Sequence, residues 1–285
     1  MGKNKFDLFT FQMGTLPFQQ LDLFDAPLSK DDLMQKKNEI FSGIFKNELI
    51  FFHRLFKLNY KIEFEDEDFI LIRLANRKTV NVEKQFHRES FESEPSCLVA
   101  INNNPSIQTI AIESDITSFG NSFTVVRIIE KAFEKSLNKS NLKIKIHPQF
   151  EEKDFWDLLD RYESQVESLK FEFEYPNLPR VNRYLSDELK ATSKQLNSEK
   201  TKVEFTAGDN KILENLTQDN TELDNLVKAS AEGAGPVKIK VRGYRQYEST
   251  ENKVRSIQFD DLEIDAPAEV IKEYITDLKT LLGYG

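Results

Sequence analysis

Between residues 49 and 113 six short apolar runs follow one another, at 49–56, 60–64, 69–75, 79–86, 97–102 and 107–113. The connections between them are short and carry Asp, Asn or Pro, which favours consecutive antiparallel pairing over parallel crossovers. A further strand is expected at 6–13. A helix is expected at 30–46, where Ser29, Asp31 and Asp32 supply start signals and Leu33, Ile40, Phe41, Ile44 and Phe45 recur at helical spacing. From Ser118 the rhythm alternates: a helix to about 137, a strand at 142–147, a helix at 153–166, a strand at 168–175, then a longer polar helix at 181–198. A strand at 202–207 and a helix at 221–231 come next. Two strands at 236–242 and 254–262 joined by a polar loop then lead to a last helix opened by Pro267. The pattern specifies an α+β chain with a β-rich amino-terminal half of antiparallel strands and an alternating α/β carboxyl-terminal half. Two domains are expected, 1–115 and 116–285.

Twenty-three phenylalanines against one tryptophan place most aromatic burial in side chains without a polar atom. Cys97 is the single cysteine. It permits neither an internal disulfide nor a Cys-based zinc site, and its apolar neighbours Leu98 to Ile101 mark it as a core residue in a reducing cytoplasm. No apolar run reaches the length of a membrane span, the run Phe6 to Thr10 is too polar for a secretory core, and Phe6 stands where N-myristoylation would want Ser or Thr. A cytoplasmic protein without a membrane contact is expected.

The formal charge of −9 opposes a chain coated in nucleic acid, so any such contact must be local. Two windows carry +4 each. Between Pro236 and Arg255 six Lys or Arg stand against two Glu, with Arg242, Tyr244, Arg245, Lys253 and Arg255 interleaving basic and aromatic groups around Gly243. Arginine forks suit phosphate, and tyrosine rings suit bases and sugars. From Arg73 to Arg88 the cations Arg73, Arg77, Lys78, Lys84 and Arg88 face one acid, Glu83. On a shared face the two windows would form a groove for the duplex backbone; as separate solvated hairpins they would only guard against aggregation.

Catalytic patterns are weak, and neither catalytic residues nor a cofactor or metal is expected. His53, His87 and His147 lack ligand spacing, and Gly233 to Pro236 reads as a helix stop, since it lacks the lysine and hydroxyl of a phosphate loop. Glu251 and Lys253 have the Glu-x-Lys spacing of two-metal nucleases without an evident upstream Asp.

Gln20-Leu21-Asp22-Leu23-Phe24 resembles the peptide by which bacterial replication and repair proteins grip the DNA sliding clamp. That resemblance implies that Gln20, Leu21, Leu23 and Phe24 engage a protein cleft. Residues 107–175 resemble the middle of RexA-type phage-exclusion proteins, through the aliphatic helix Phe123 to Ile129, the Asn138-Lys139 link, the basic strand Lys143 to Ile146 and the acidic helix start Glu151 to Asp154. This second resemblance implies a homodimeric, DNA-binding protein of anti-phage defence. The sequence therefore points to a non-enzymatic protein associated with duplex DNA. A protein-sensing subunit without DNA contact is the alternative, followed by a metal-dependent nuclease.

Overall fold

The computed structural model describes residues 3–16, 29–46, 49–174, 178–196, 198 and 200–284. Strand β1 (Lys3–Thr15) precedes helix α1 (Lys30–Lys46), the short strands β2 (Phe52–His53) and β3 (Phe56–Lys57), β4 (Asn59–Glu65), β5 (Phe69–Ala75), β6 (Lys78–Lys84), β7 (His87–Ser93), β8 (Ser96–Asn102) and β9 (Thr109–Glu113). Then come α2 (Ser122–Leu137), β10 (Leu142–Pro148), α3 (Glu152–Arg161), β11 (Val166–Glu174), α4 (Pro179–Asn182), α5 (Asp187–Gln195) and β12 (Lys200–Thr206). Helix α6 (Thr221–Ala229), β13 (Val237–Val241), β14 (Glu248–Ser249), β15 (Ser256–Asp260) and α7 (Ala268–Lys279) complete the described chain. It is a mixed α+β fold whose amino-terminal half is built on antiparallel sheet.

The larger sheet has seven strands in the order β10-β1-β9-β8-β5-β4, with β15 also on β1. Strand β1 pairs with β9 along one edge; its other edge is shared by β15 at Lys3–Asp7 and β10 at Phe9–Thr15. Both faces are covered, so strand alternation sends apolar side chains into two cores. Phe9, Phe11, Met13, Ile70, Ile72 and Leu74 face α1 and α2, while Phe6, Leu8, Phe69, Leu71 and Leu98 face α7. Phe41 of α1 stacks between Phe11 and Phe133, with ring centroids at 4.9 and 4.3 Å, and ties sheet, α1 and α2 together.

A second antiparallel sheet, β12-β11-β13-β14, buries Leu169, Phe171, Phe173, Val237 and Ile239 against α3 and α6. The sheets do not divide at residue 115, because β10 and β15 lie in the larger one. They meet at the turn Ser230–Ala234 that follows α6. Gly233 adopts φ +86° with its Cα against the Thr10 side chain, and Gly235 lies on the Glu172 carbonyl.

Four local expectations are corrected. The polar helix at 181–198 is broken in two, because Ser186 ends the run and caps α5 by accepting from the Leu189 N–H at 3.3 Å. The run 49–56 forms a small hairpin that turns at Arg54, whose φ is 56°. Strand β7 was not expected, since six of its seven side chains are polar or charged and Phe91 alone is apolar; it closes a hairpin with β6 through Gln85 and Phe86, both at positive φ. Strands β13 and β15, expected to be joined as neighbours, belong to different sheets.

Candidate nucleic-acid interface

Most of the basic residues singled out in the sequence are paired with acids. Arg242 lies 3.1 Å from Glu167 and also donates to the Lys211 carbonyl. Lys253 pairs with Asp154 at 3.5 Å, and Arg255 is turned inward toward Gln149 and Glu232. In the other window Arg77 pairs with Glu92, Arg88 with Glu83 at 2.7 Å, and Lys78 donates to the Thr117 carbonyl. Lys84 stands opposite His87 in the hairpin register. Arg73 belongs to that same window only in sequence: its side chain is 11% exposed and bound to Glu63. Arg245 is exposed, as are Tyr244 and Tyr247. Tyr244 packs edge-on against Tyr162. The two windows sit on different sheets, one on the β6-β7 hairpin and the other at the end of β13. Gln20, Leu21, Leu23 and Phe24 lie outside the described residues.

What the fold brings together is a lysine face of which the window count held only Lys238 and Lys240. Alternation puts Lys200 and Lys202 of β12, Lys170 of β11, and Lys238 and Lys240 of β13 on the side of the second sheet opposite its core. Four of them surround one carboxylate. Glu172 lies 2.7 Å from Lys200, 3.7 Å from Lys238 and 3.9 Å from both Lys170 and Lys202. Burial pushes its carboxyl up, but Lys200, Lys238 and Lys202 together hold it below the ordinary carboxylate range. Glu204 adds a second, distant acid at 3.9 Å from Lys170. Lys170, Lys202 and Lys238 make only these long ion pairs and, among the described residues, no hydrogen bond. The face runs on at the end of β13 into the Arg242 to Tyr247 loop, where Lys240 donates to the Tyr244 and Arg245 carbonyls and lies 5.7 Å from the Tyr247 ring.

Beside this face a cleft of about 600 Å³ separates β11 and β13 from α2 and β10, and Arg127, Glu130, His147, Glu172, Lys238 and Glu251 line it. Among the described residues, no three of His, Cys, Asp and Glu are arranged to hold a metal. The Lys-x-Lys repeats at 200–202 and 238–240 were the available signal. Reading them as a face required knowing that β12, β11 and β13 are neighbours.

Two hairpins at one end of the larger sheet expose apolar side chains. Phe52, Leu55 and Phe56 stand out on the β2-β3 hairpin, and Val80, Val82, Phe86 and Phe91 on the β6-β7 hairpin. Among the described residues no helix is long and apolar enough to cross a membrane.

These features define the class: an α+β chain of two antiparallel sheets joined at a glycine turn, with a lysine-rich sheet face. No protein-family model matches the chain, and no curated protein matches it.

Proposed function

We propose that the chain is a non-enzymatic, cytoplasmic DNA-associated protein of the phage-exclusion type, which holds the duplex backbone against the lysine face of its second sheet. The observation that carries this reading is the group Lys170, Lys202 and Lys238, whose ammonium groups share Glu172 at 3.7 to 3.9 Å and keep their hydrogens for another acceptor. Lysine is a strongly hydrated point charge, suited to phosphate contact without base readout. Arg245 and the exposed rings of Tyr244 and Tyr247 extend the surface. In this reading the peptide at Gln20 to Phe24 recruits the protein to the sliding clamp, and the protein acts as a homodimer.

Fluorescence anisotropy with labelled duplexes of several sequences, over a salt series, tests the proposal. Binding should fall steeply with salt, by about 0.9 in log-log slope for each phosphate contacted, so that the double variant Lys202→Gln, Lys238→Gln lowers the slope by roughly 2 for every sequence. No binding at low salt, or a slope the variant leaves unchanged, refutes it.

A second reading is favoured by the exposed Phe52, Leu55, Phe56 and Phe86, which suit a protein partner better than a phosphate backbone. It makes the chain a protein-sensing subunit. Here Phe56→Ser with Phe86→Ser abolishes co-purification of a partner, while the lysine variants leave it intact.

A further inference from the structure

A second cavity, of about 280 Å³, lies at the junction of the two sheets and is lined by none of the lysines described above. Three arginines, Arg180, Arg183 and Arg255, line it together with a single acid, Glu232. They come from α4 and the residue that ends it, from the segment before β15 and from the turn after α6, so only the folded chain assembles them.

The hydrogen bonds there are incomplete. Arg180 donates through Nη1 to Thr109 Oγ1 at 3.0 Å and through Nη2 to Thr10 Oγ1. Its Nε–H is buried and makes no hydrogen bond, although Glu232 Oε2 stands 3.8 Å away. Arg255 donates to Gln149 Oε1, and its Nη1 is 3.9 Å from Glu232 Oε1. The one carboxylate is thus near both guanidinium groups and hydrogen-bonded to neither. A guanidinium carries five N–H donors, and these bonds occupy two on Arg180 and one on Arg255. Burial pushes the Arg180 guanidinium down to about 10; Glu232 opposes this, and Arg255 and Arg183 add to it. A site with one buried, unpaired guanidinium N–H, further donors on two partly or fully exposed arginines and an excess of positive charge is complementary to an anion.

We infer that this cavity binds a small phosphate-bearing ligand, with Arg180 and Arg255 forked onto the phosphate and Arg183 at the mouth. The charge selects phosphate: three arginines less Glu232 leave +2, which matches the roughly −1.5 to −2 of a phosphate monoester and exceeds what one carboxylate neutralises. The geometry of paired guanidinium groups suits phosphate oxygens. The volume sits at the lower edge of the roughly 300–1,000 Å³ of small-molecule pockets, enough for a phosphate with a small body attached and too little for a nucleic-acid strand. The inference does not depend on the lysine face.

Isothermal titration of the full chain with inorganic phosphate and with ribose 5-phosphate, at constant ionic strength in chloride, tests it, with acetate as the single-carboxylate control. Saturable binding of phosphate or ribose 5-phosphate is expected, weakened about tenfold or more by Arg255→Gln and by Arg183→Gln. Arg183 is exposed, so its variant reads the site even where loss of Arg255 disturbs folding. Tighter binding of ribose 5-phosphate assigns a phosphorylated metabolite, and equal binding assigns the free ion. Absence of saturable binding, acetate binding as tightly as phosphate, or unchanged affinity in both variants overturns the inference.

Discussion

Replacing Gly235 by alanine tests whether the glycine turn holds the two sheets in register. A Cβ at that position would sit 2.0 Å from the Glu172 carbonyl oxygen, and the backbone there is at φ +154°. The obstructing atom belongs to the backbone of β11, where Glu172 is in register with Lys202 of β12, so it cannot rotate away as a side chain would. Backbone strain of about 1–3 kcal/mol, for φ 154° and ψ 169° that essentially only glycine adopts, and over-packing of about 1–3 kcal/mol together predict a loss of about 2–6 kcal/mol. Gly243→Ala is the matched control, because Gly243 is also at positive φ, +82°, but has nothing within 4 Å of the added carbon. It should lose only the strain component. Urea unfolding, followed by circular dichroism and by fluorescence of the single tryptophan, Trp156, measures both. If Gly235→Ala falls within about 0.5 kcal/mol of the Gly243 control, the close packing inferred at the turn is wrong.

Three other outcomes follow from the cores. Lys37 occupies the buried stripe Leu33, Lys37, Phe41, Phe45 of α1, and burial pushes its ammonium from 10.5 down to about 8. The unfolded chain therefore keeps that proton to higher pH than the folded one, and stability should rise between about pH 8 and 10.5, by at most on the order of 3 kcal/mol; Lys37→Met should flatten the rise in urea midpoints across that window. Cys97 is fully buried and its thiol is pushed up to about 12 by burial first and Glu113 second, so thiol-reactive dyes should label it only as fast as the chain unfolds. Phe133→Ala removes a ring stacked on Phe41 and should cost about 3–5 kcal/mol in the same urea assay.

The elements whose signal is local were legible in the sequence. Helix α1 begins where Ser29 and Asp32 exchange hydrogen bonds, Pro267 opens α7, and Gly233 stops α6 at positive φ. Strands β1, β5, β8 and β9 of the larger sheet read as strands rich in apolar residues because both of their faces are covered. The β7 strand was not legible, since an exposed hairpin needs no apolar alternation and is set by its turn. The break before α5 was hidden because Ser186 resembles any polar helix residue until its hydroxyl is seen capping Leu189.

The candidate sites divide in the same way. Counting charge along the chain found Arg242, Lys253 and Arg255, but their acidic partners Glu167, Asp154 and Glu232 lie far away in sequence and are brought near only by folding. The same process gathered Lys170, Lys202 and Lys238 onto one face, and Arg180 and Arg255 around one cavity. By itself the amino-acid order determined the α+β class, the succession of most elements and the faces they bury, because periodicity, caps and turns act over a few residues. Tertiary structure alone decided that β10 and β15 share an edge of β1, and which charges are cancelled or left to act, because Coulomb and hydrogen-bond partners are chosen by distance in space.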